Sequence, residues 1–498
     1  MVKHALETVQ LERGFSQKDK LNHVSIELNE IFERGKRLDA SYYAAEGRIA
    51  RLIIAACPYP KIPLFGENGF AKRVYNFRSD QFKKAFVKDG IPIYAASKIL
   101  DFKHKPEKFI ATPTESLVES LTLKEGQIVF TCSGTIGSCS IVSGTLKGKI
   151  FSHDLIRIEC TNKDDIGYVY AFLKTKAGRQ LIATNNYGSV VTHVEPTHLA
   201  SLFIPDMPPN IKKEVHENIA TVFRLRDEAY ELLGNADELL FKKLNLPPLK
   251  DLDVQYLTDD PNLRTFSLKI SDWKYRLDAS FHVPLIDKIV ERLKATPSEL
   301  TVLGDKRVSE KILLPGRFKR VHVEEKYGVP FLSGGDILQF DPEQVKYLSI
   351  KRHDKRIQEQ LVLHEDMILI TRSGTIGNTV LAPAHFDGWA ANEHILRIVP
   401  SKETNAGYIY TFLASSYGRE LIKRFTYGSV VDEIDDNQLA SVEFPLPSRE
   451  IQDEIGNLAL EAKKKYSEAY TLERETISKV EKIILSSLIV SIPTVSSQ

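Results

Sequence analysis

The pentapeptide SGTIG stands at residues 133–137 and again at residues 373–377, 240 positions further along the chain. The pentapeptide YGSVV, at residues 187–191, returns at residues 427–431 with the same spacing. Because collinear matches with one spacing do not arise by chance, the 498-residue chain is predicted to be a tandem duplication of a unit of about half its length. Each copy is long enough to bury its own core, and two like copies usually pack with approximate two-fold symmetry.

Each SGTIG lies inside a longer pattern that predicts a strand, a glycine turn and a second strand. The two patterns are GQIVFTCSGTIGSCSIV, from Gly126, and EDMILITRSGTIGNTVLAP, from Glu365. A segment with apolar residues at intervals of three and four follows each of them, beginning GYVYAFL at Gly167 and GYIYTFL at Gly407, and this spacing predicts a helix. Each copy is therefore predicted to begin with a mixed α/β domain.

The last part of each copy predicts one long helix. Residues 210–244 contain no proline and a single glycine, and prolines flank them on both sides. Apolar residues recur there at alternating steps of four and three, which is a heptad seam that Arg226 interrupts. The first seam comprises Val215, Ile219, Val222, Arg226, Ala229, Leu233, Ala236 and Leu240, and the second comprises Ile451, Ile455, Leu458, Ala462, Tyr466, Ala469, Leu472 and Val480.

A helix of about 35 residues is about 52 Å long and cannot bury such a seam alone. We expect the two helices to pair as an antiparallel coiled coil; the alternative is that each helix packs on its own domain. The fold class is α+β, with a pseudo-two-fold internal repeat. The predicted boundaries are a first domain at 1–209, a helix at 210–246, a second domain at 247–449, a helix at 450–490 and a tail at 491–498.

The two copies diverge most at residues 44–125 and 283–365, and these segments are locally basic. Between Lys72 and Lys108, ten Lys and Arg residues stand against four Asp and Glu residues. Between Lys306 and Lys326 the counts are seven and three. Aromatic residues lie among the cations, as suits contacts to phosphates and to bases or sugars. The alternative is that each segment is only a solvated charged face.

The candidate nucleic-acid contacts come from the basic segments, the SGTIG turns and the YGSVV segments. They are Lys72, Arg73, Arg78, Lys83, Lys84, Lys98, Lys103, Thr135, Tyr187, Ser189, Arg317, Lys319, Arg320, Arg352, Arg372, Thr375, Tyr427 and Ser429.

The sequence lacks the signature motifs of several classes of protein. The net charge is +1, no run of eighteen apolar residues predicts a membrane span, and the N-terminus has no apolar signal region. The chain has no GxxxxGK[ST] loop, no strand-linked GxGxxG and no GxSxG or HExxH. Its four cysteines have no metal-ligand spacing, so we expect a protein of the reduced cytoplasm without a metal site. Since the catalytic motifs are also missing, we expect no catalytic residue.

Two weaker patterns in the sequence suggest catalytic chemistry. Asp305 followed by Glu324-Glu325-Lys326 resembles a nuclease metal site, but the first copy has no counterpart. The pair His153-Asp154 and its counterpart Glu393-His394 could do acid–base chemistry. Because their order is reversed between the copies, we interpret them as structural polar groups.

The order of these segments resembles the specificity subunit of type I restriction–modification systems. The resemblance rests on SGTIG, on residues 187–209 and 427–447, and on the long helix after each of them. The chain departs from the usual glutamate-glutamine after the prolines, with IKKE at residues 211–214 and IQDE at residues 451–454. These departures affect expected partner contacts rather than the architecture.

The resemblance implies two target-recognition domains, each of which reads half of a split double-stranded DNA site. It implies that the long helices set the spacing and dock two methyltransferase subunits, which bind S-adenosylmethionine and methylate adenine, and that motor-nuclease subunits can join. This chain itself would be non-catalytic and bind no cofactor. Since the two domains differ, the DNA site should be asymmetric. The alternatives are a nuclease or other single-chain enzyme, and a duplicated scaffold that binds proteins rather than DNA.

The apolar residues expected to form the helix pair and to contact its partners lie on the two seams. They are Val215, Ile219, Val222, Leu233 and Leu240 on the first helix and Ile451, Ile455, Leu458, Leu472 and Val480 on the second.

Overall fold

The computed structural model of the chain describes most of its length, in several stretches. They are residues 26, 28–33, 45–77, 85–111, 115–133, 136–184, 193–254, 256–257, 265–273, 276–343, 345–428 and 431–490. The chain divides into two compact units, one of Met1–Arg224 with Thr471–Gln498 and one of Leu225–Tyr470. Each unit contains one sheet-bearing domain, named head 1 (residues 45–205) and head 2 (residues 284–446), and each long helix contributes residues to both units.

Head 1 is built from short strands and helices. Its strands are β1 (Lys61–Pro63), β2 (Ala71–Tyr75), β3 (Phe86–Val87), β4 (Ile91–Tyr94), β5 (Lys108–Ile110), β6 (Ile128–Thr131), β7 (Cys139–Ile141), β8 (Ile150–Phe151), β9 (Leu155–Cys160) and β10 (Phe203–Pro205). After an isolated helix α1 (Leu28–Glu33), its helices are α2 (Ala45–Ala56), α3 (Glu115–Leu121), α4 (Ile166–Lys174), α5 (Lys176–Thr184) and α6 (Pro196–Ala200), and the long helix α7 (Pro209–Lys243) follows.

Head 2 has the same succession of strands and helices. Its strands are β11 (Glu299–Val302), β12 (Ser309–Leu313), β13 (His322–Val323), β14 (Gly328–Leu332), β15 (Lys346–Ser349), β16 (Ile368–Thr371), β17 (Thr379–Leu381), β18 (Ala390–Ala391), β19 (Ile395–Pro400) and β20 (Glu443–Leu446). Its helices are α8 (Pro284–Lys294), α9 (Ile350–Arg356), α10 (Ala406–Ala414), α11 (Ser416–Lys423) and α12 (Asp436–Ala440), and the long helix α13 (Arg449–Val490) follows.

The two heads share their sheet topology. The first sheet has the order β2-β9-β6-β7 in head 1 and β12-β19-β16-β17 in head 2, with all neighbours antiparallel. The second sheet has the order β3-β5-β4-β8 or β13-β15-β14-β18, and its last pair is parallel. A third, two-stranded sheet joins β1 to β10 or β11 to β20. The predicted duplication of mixed α/β domains is therefore confirmed as a repeated fold.

The strands that flank SGTIG explain why this segment marks the fold. Every residue of β6 and β16 is buried, which is why both strands are apolar up to a final threonine rather than alternating. The chain leaves each strand through a turn in which Gly137 or Gly377 donates its backbone N–H to the carbonyl of Thr131 or Thr371, at 3.3 and 3.0 Å. Both glycines have positive φ, at 112° and 82°, where a side chain would be strained. The predicted glycine turn is confirmed.

Two further glycines explain how each head contacts its own long helix. A Cβ on Gly167, in α4, would lie 2.6 Å from the Cα of His216 in α7. A Cβ on Gly407, in α10, would lie 2.1 Å from the carbonyl oxygen of Gly456 in α13. Since such distances cannot be accommodated, the glycines allow close backbone packing, and each long helix packs against its own head at its N-terminal end.

Candidate nucleic-acid interface

The basic residues of head 2 meet on one surface. The loop at residues 314–321 packs against α9, where the Phe318 ring lies 5.2 Å from the His353 ring and 4.9 Å from the Arg356 guanidinium carbon. Arg356 also donates to the carbonyl of Gly316, at 3.1 Å. This packing places the cations of the loop beside the cations of α9, so that they form one surface within head 2.

Some of these cations are paired and others are open to a ligand. Arg317 donates to Glu433 at 2.8 Å, and Arg320 donates to Glu393 at 2.6 Å. Lys319, Lys351 and Arg352 are exposed and make no ion pair within the described part of the chain. These last three side chains are therefore the cations of this surface best placed to meet phosphates without first breaking a contact.

In head 1 the exposed cations lie on strands beside aromatic rings. Lys72 and Arg73 are exposed on β2, and the Arg73 guanidinium carbon lies 4.0 Å from the centre of the Tyr75 ring. Lys108, on β5, places its ammonium 4.4 Å from the centre of the Phe86 ring. The expected combination of basic and aromatic side chains is thus present on strands of both four-stranded sheets of head 1.

Two other predicted contacts in head 1 are less accessible. Lys98 is half-buried and pairs with Asp101 at 3.5 Å, and burial raises the pKa of the Asp101 carboxyl to about 7. Lys103 is half-buried and has interactions of its own. Either side chain would have to leave its present surroundings in order to reach a phosphate.

The serine of SGTIG forms a different polar cluster in each head. In head 1, Ser133 donates its hydroxyl to Asp154 at 2.6 Å, and Ser152 donates to the same carboxylate at 3.2 Å. In head 2, the Ser373 hydroxyl lies 2.8 Å from Nδ1 of His394. Because the serine meets a carboxylate in one copy and an imidazole in the other, the two pairs do not share one arrangement.

The remaining predicted contacts fall into three groups. Thr375 and Tyr427 are exposed, beside the SGTIG turn and at the start of the second YGSVV. Arg372 is buried, and its guanidinium donates to Glu433 at 2.5 Å and to the carbonyl of Ile434 at 2.9 Å. The predicted contacts that lie outside the described residues are Arg78, Lys83, Lys84, Thr135, Tyr187, Ser189 and Ser429.

The seam of the first long helix follows the predicted pattern. Its eight positions, including Arg226, are all buried. The Arg226 guanidinium carbon lies 4.0 Å from the centre of the Phe340 ring of head 2, which accounts for a charged residue at a buried position.

The seam of the second long helix is partly displaced from the predicted one. Ile455 and Val480 are fully buried, whereas Ile451, Leu458 and Leu472 are only half-buried. The positions buried in place of these three are Gln452, Ala459 and Glu473. The predicted seam is therefore wrong at these three steps, where the buried positions carry glutamine, alanine and glutamate rather than the apolar residues beside them.

Glu473 is buried because head 1 supplies its partners. Its carboxylate pairs with the ammonium of Lys174 at 3.2 Å and accepts a hydrogen bond from the hydroxyl of Tyr170. The side chains of Lys174 and Glu473 are 1% and 0% exposed, so the pair has no access to water. The sequence pattern gave no indication of this pair, since its members are 299 residues apart.

A buried arginine repeated in both heads was also missed. Arg157 and Arg397 are the central residues of the LIRI and ILRI segments, and both are 0% exposed. Arg157 donates to the carbonyls of Leu155 and Leu121, at 3.4 and 3.2 Å. Burial lowers the pKa of Arg157 to about 10 and that of Arg397 to about 9. An arginine inside an otherwise apolar repeated strand was the available signal.

The nuclease-like pattern does not form a metal site within the described residues. Asp305 accepts hydrogen bonds from Thr301 at 2.7 Å and from the backbone and guanidinium of Arg307, which hold its pKa well below the usual range. No three His, Cys, Asp or Glu side chains of the described residues come together as metal ligands. The described cysteines Cys57, Cys132, Cys139 and Cys160 are all buried and free.

Most of head 2 and of its long helix is similar to a known protein family. Residues 315–482 match the model of the type I restriction modification DNA specificity domain. This part of the chain is similar to that domain. The specificity domain covers β13 to β20 and most of α13, and head 1 repeats its sheet order. The resemblance inferred from the repeated segments is therefore confirmed.

One curated relative is the type I restriction enzyme MjaIX specificity subunit of Methanocaldococcus jannaschii. It is 26% identical to this chain over 208 residues, which are 39% of this chain and 45% of the relative. The chain thus spans about half the length of the curated relative that it matches.

The similar solved structures include two S subunits. The S subunit of the type I restriction–modification system of M. genitalium is 12% identical, with 86% of this chain and 98% of that chain covered and a TM-score of 0.31. The HsdS subunit of Thermoanaerobacter tengcongensis is 14% identical, with coverage of 84% and 93% and a TM-score of 0.27. Within the part of the chain that the structure describes, no helix is both long and apolar enough to cross a membrane.

Proposed function

We propose that this chain is the DNA specificity subunit of a type I restriction–modification complex. The observation that carries the proposal is the type I restriction modification DNA specificity domain at residues 315–482. Head 1 repeats the sheet order of head 2, which extends the proposal to two DNA-reading heads in one chain. Each head reads one half of a bipartite double-stranded DNA site.

The surfaces of the two heads support different half-sites. Head 2 presents Lys319, Lys351 and Arg352 on a loop and a helix, whereas head 1 presents Lys72 and Arg73 on a strand. Phosphate contacts from these cations position a head on DNA, and the neighbouring polar side chains select the bases. Because the polar side chains around the two SGTIG serines differ, the complete site is asymmetric.

The long helices α7 and α13 act as the spacer, as an antiparallel coiled coil that relates the copies by a pseudo-two-fold axis. Ion pairs within each unit support this. In the unit Leu225–Tyr470, Lys243 pairs with Glu454, and Glu228 accepts from Lys465 at 2.8 Å, so that the numbering rises on one helix as it falls on the other. In the other unit, Glu214 pairs with Lys479. A rigid pair of helices sets the distance between the half-sites.

The proposed partners follow from the same assignment. Two methyltransferase subunits dock on the helices, bind S-adenosylmethionine and methylate an adenine in each half-site, and motor-nuclease subunits join for restriction. This chain selects the DNA site and performs no chemistry itself. The complex acts in the cytoplasm.

Methylome sequencing tests this function directly. Deletion of the gene from its host should abolish adenine methylation at one split motif, and the full-length gene supplied in trans should restore it. A matched complementation with Lys319, Lys351 and Arg352 all changed to glutamate should fail to restore methylation while leaving the subunit assembled. An unchanged methylome after deletion would refute the proposed function, and full restoration by the triple variant would favour a scaffold that does not contact DNA.

A further inference from the structure

Head 1 contains an open cleft of about 410 Å³ between its second sheet and the SGTIG turn. Phe86, Tyr94 and Lys108 line it from the sheet, and Ser133 and Asp154 line it from the turn side. All of these residues belong to one unit and are described, so the cleft is a feature of head 1 alone.

The carboxylate of Asp154 is held in a defined orientation in this cleft. The hydroxyl of Ser133 binds one carboxylate oxygen at 2.6 Å, and the hydroxyl of Ser152 binds the other at 3.2 Å. Ser152 is itself fixed, because its hydroxyl accepts the backbone N–H of Ala96 at 3.3 Å. A carboxylate that is oriented by its neighbours is prepared to bind a ligand with little further ordering.

This carboxylate retains capacity for a ligand. A carboxylate has about four acceptor positions, and the two hydroxyls occupy one on each oxygen. Nε2 of His153 lies 3.6 Å from the oxygen that Ser133 binds, so the oxygen that Ser152 binds is the more open of the two. The Asp154 side chain is 32% exposed, so a donor group from outside can reach it. The cleft therefore offers an oriented hydrogen-bond acceptor to a ligand that enters it.

The rim of the cleft combines a cation with aromatic rings, as suits a nucleic acid. The ammonium of Lys108 lies 4.4 Å from the centre of the Phe86 ring, and the ring of Tyr94 stacks on Phe151 at 5.3 Å. Lys108 attracts a phosphate and the aromatic rings pack against apolar parts of a nucleotide, while the exposed carboxylate of Glu107, which also lines the cleft, offers a second acceptor. A ligand with an anionic backbone and a neutral donor group satisfies both parts of the cleft.

Head 2 carries a different chemistry at the same position. His394 replaces Asp154 beside the serine, at 2.8 Å from the Ser373 hydroxyl. Glu393, the residue before it, is buried and accepts from Arg320 at 2.6 Å. The serine is common to both heads, so the residue that it orients distinguishes them.

We infer that Asp154 is a base-reading residue of head 1 and accepts a hydrogen bond from the exocyclic amino group of cytosine or adenine in the major groove. These are the amino groups that the major groove exposes, and a carboxylate is a known acceptor for the cytosine group. Ser133 is a positioning residue, since it orients the carboxylate and does not contact DNA. The inference rests on the proposed function.

Selection from a randomised duplex library tests the inference, with the full chain assembled with its methyltransferase subunits. The Asp154→Asn variant should lose about tenfold discrimination at one base pair of one half-site, with the other half-site unchanged. Duplexes with each of the four base pairs at that position then separate a cytosine from an adenine contact. A motif that is unchanged at every position in the Asp154→Asn variant would overturn the inference.

Three matched variants guard this experiment. Asp164→Asn changes an exposed carboxylate of head 1 that does not line the cleft, and should leave both half-sites unchanged. His394→Gln should alter only the opposite half-site, and Ser133→Ala should weaken discrimination at the same base pair as Asp154→Asn. Thermal unfolding identifies any variant that fails to fold, and Ser133→Ala then provides the test. If the wild-type complex selects no motif at all, the proposed function fails, and the inference fails with it.

Discussion

The second sheets of the two heads differ in sequence and agree in structure. They lie in the segments that diverge most between the copies, yet Ile93, Ile110, Leu121 and Ile150 of head 1 form a core like that of Phe331, Leu348, Leu361 and Ala390 in head 2. The polar groups around the SGTIG serines have changed instead, from an aspartate to a histidine. The comparison teaches that an apolar core preserves a sheet while surface chemistry changes freely around it.

The contacts between each head and a long helix differ in their buried residues, whereas the second sheets differ in the polar groups around them. In the unit that contains head 1, the buried pair of Lys174 and Glu473 joins α4 to α13. At the positions 240 residues away, the other copy has Ala414 and Leu233. The same architecture therefore exists with a buried ion pair in one copy and with apolar residues in the other.

The largest expected effect comes from breaking this ion pair on one side only. Glu473→Leu leaves the ammonium of Lys174 buried without its carboxylate, and should lower the free energy of unfolding of head 1 by about 3–5 kcal/mol. Amide hydrogen exchange of α4 measures the loss locally, because a two-unit chain does not unfold in one step. The double variant Lys174→Ala, Glu473→Leu copies the apolar arrangement of the other copy and should recover most of the loss; equal exchange in both variants would contradict this account.

The buried arginines allow a comparison of the two heads at equivalent positions. Arg397 donates to the carbonyls of Ile395, Leu361, Asn392 and Ala391, whereas the backbone acceptors of Arg157 are two carbonyls. Arg397→Met should therefore destabilise its head by about 3 kcal/mol, and Arg157→Met should destabilise its own by less, since fewer buried carbonyls lose a donor. Hydrogen exchange in β16 and β6 reports the two effects separately, and a larger effect in head 1 would break the comparison.

Head 1 should also respond to pH through Asp101. Burial raises the pKa of this carboxyl from an ordinary value near 4 to about 7, so that the folded state binds the proton more tightly than the unfolded state. This stabilising contribution is fully present below about pH 4 and is lost as the pH rises through about 7. Asp101→Asn should flatten the decline and make head 1 more stable at pH 8 by about 2–4 kcal/mol.

The control for this pH effect is Asp89→Asn, which changes an exposed carboxylate of the same head. Its stability profile should follow that of the wild type between pH 4 and 8. If Asp101→Asn kept the wild-type decline, the buried carboxyl would not be its cause.

The smallest expected effect concerns DNA binding by head 2. Lys319→Gln and Arg352→Gln should each reduce the slope of log affinity against log salt concentration by about one, because each removes one phosphate contact. The matched control Lys288→Gln changes an exposed lysine of the same head that pairs with Glu291 at 3.0 Å. Titration of the full complex with its DNA site over a range of salt concentrations measures the slopes, and unchanged slopes would remove these residues from the interface.

Part of this architecture could be predicted because it depends on long, regular patterns of apolar residues in the sequence. The first long helix, expected at residues 210–246, extends over Pro209–Lys243, and the flanking prolines explain the approximate agreement. The strand order within the heads could not be predicted, because strands such as Phe86–Val87 and Ala390–Ala391 are too short to show a period. Sequence divergence in these segments concealed the common sheet.

The polar sites were less predictable than the helices. Basic clusters were recognisable as composition, but only the fold shows that Arg317 and Arg320 are paired while Lys319 is open. The role of Asp154 beside Ser133 depends on a contact across 21 residues that no local pattern encodes. Predictions from residue type fail where a distant partner decides which groups remain accessible.

The pair of Lys174 and Glu473 also imposes an order in time on the making of the molecule. A ribosome that adds about 5–20 residues per second takes about 15–60 seconds to cover the 299 residues between them. Throughout that interval the nascent head 1 holds a lysine whose eventual partner has not been synthesised. Head 1 can therefore reach its final packing only after α13 has been synthesised. A chain that is truncated before residue 473 contains a head 1 that never completes this packing.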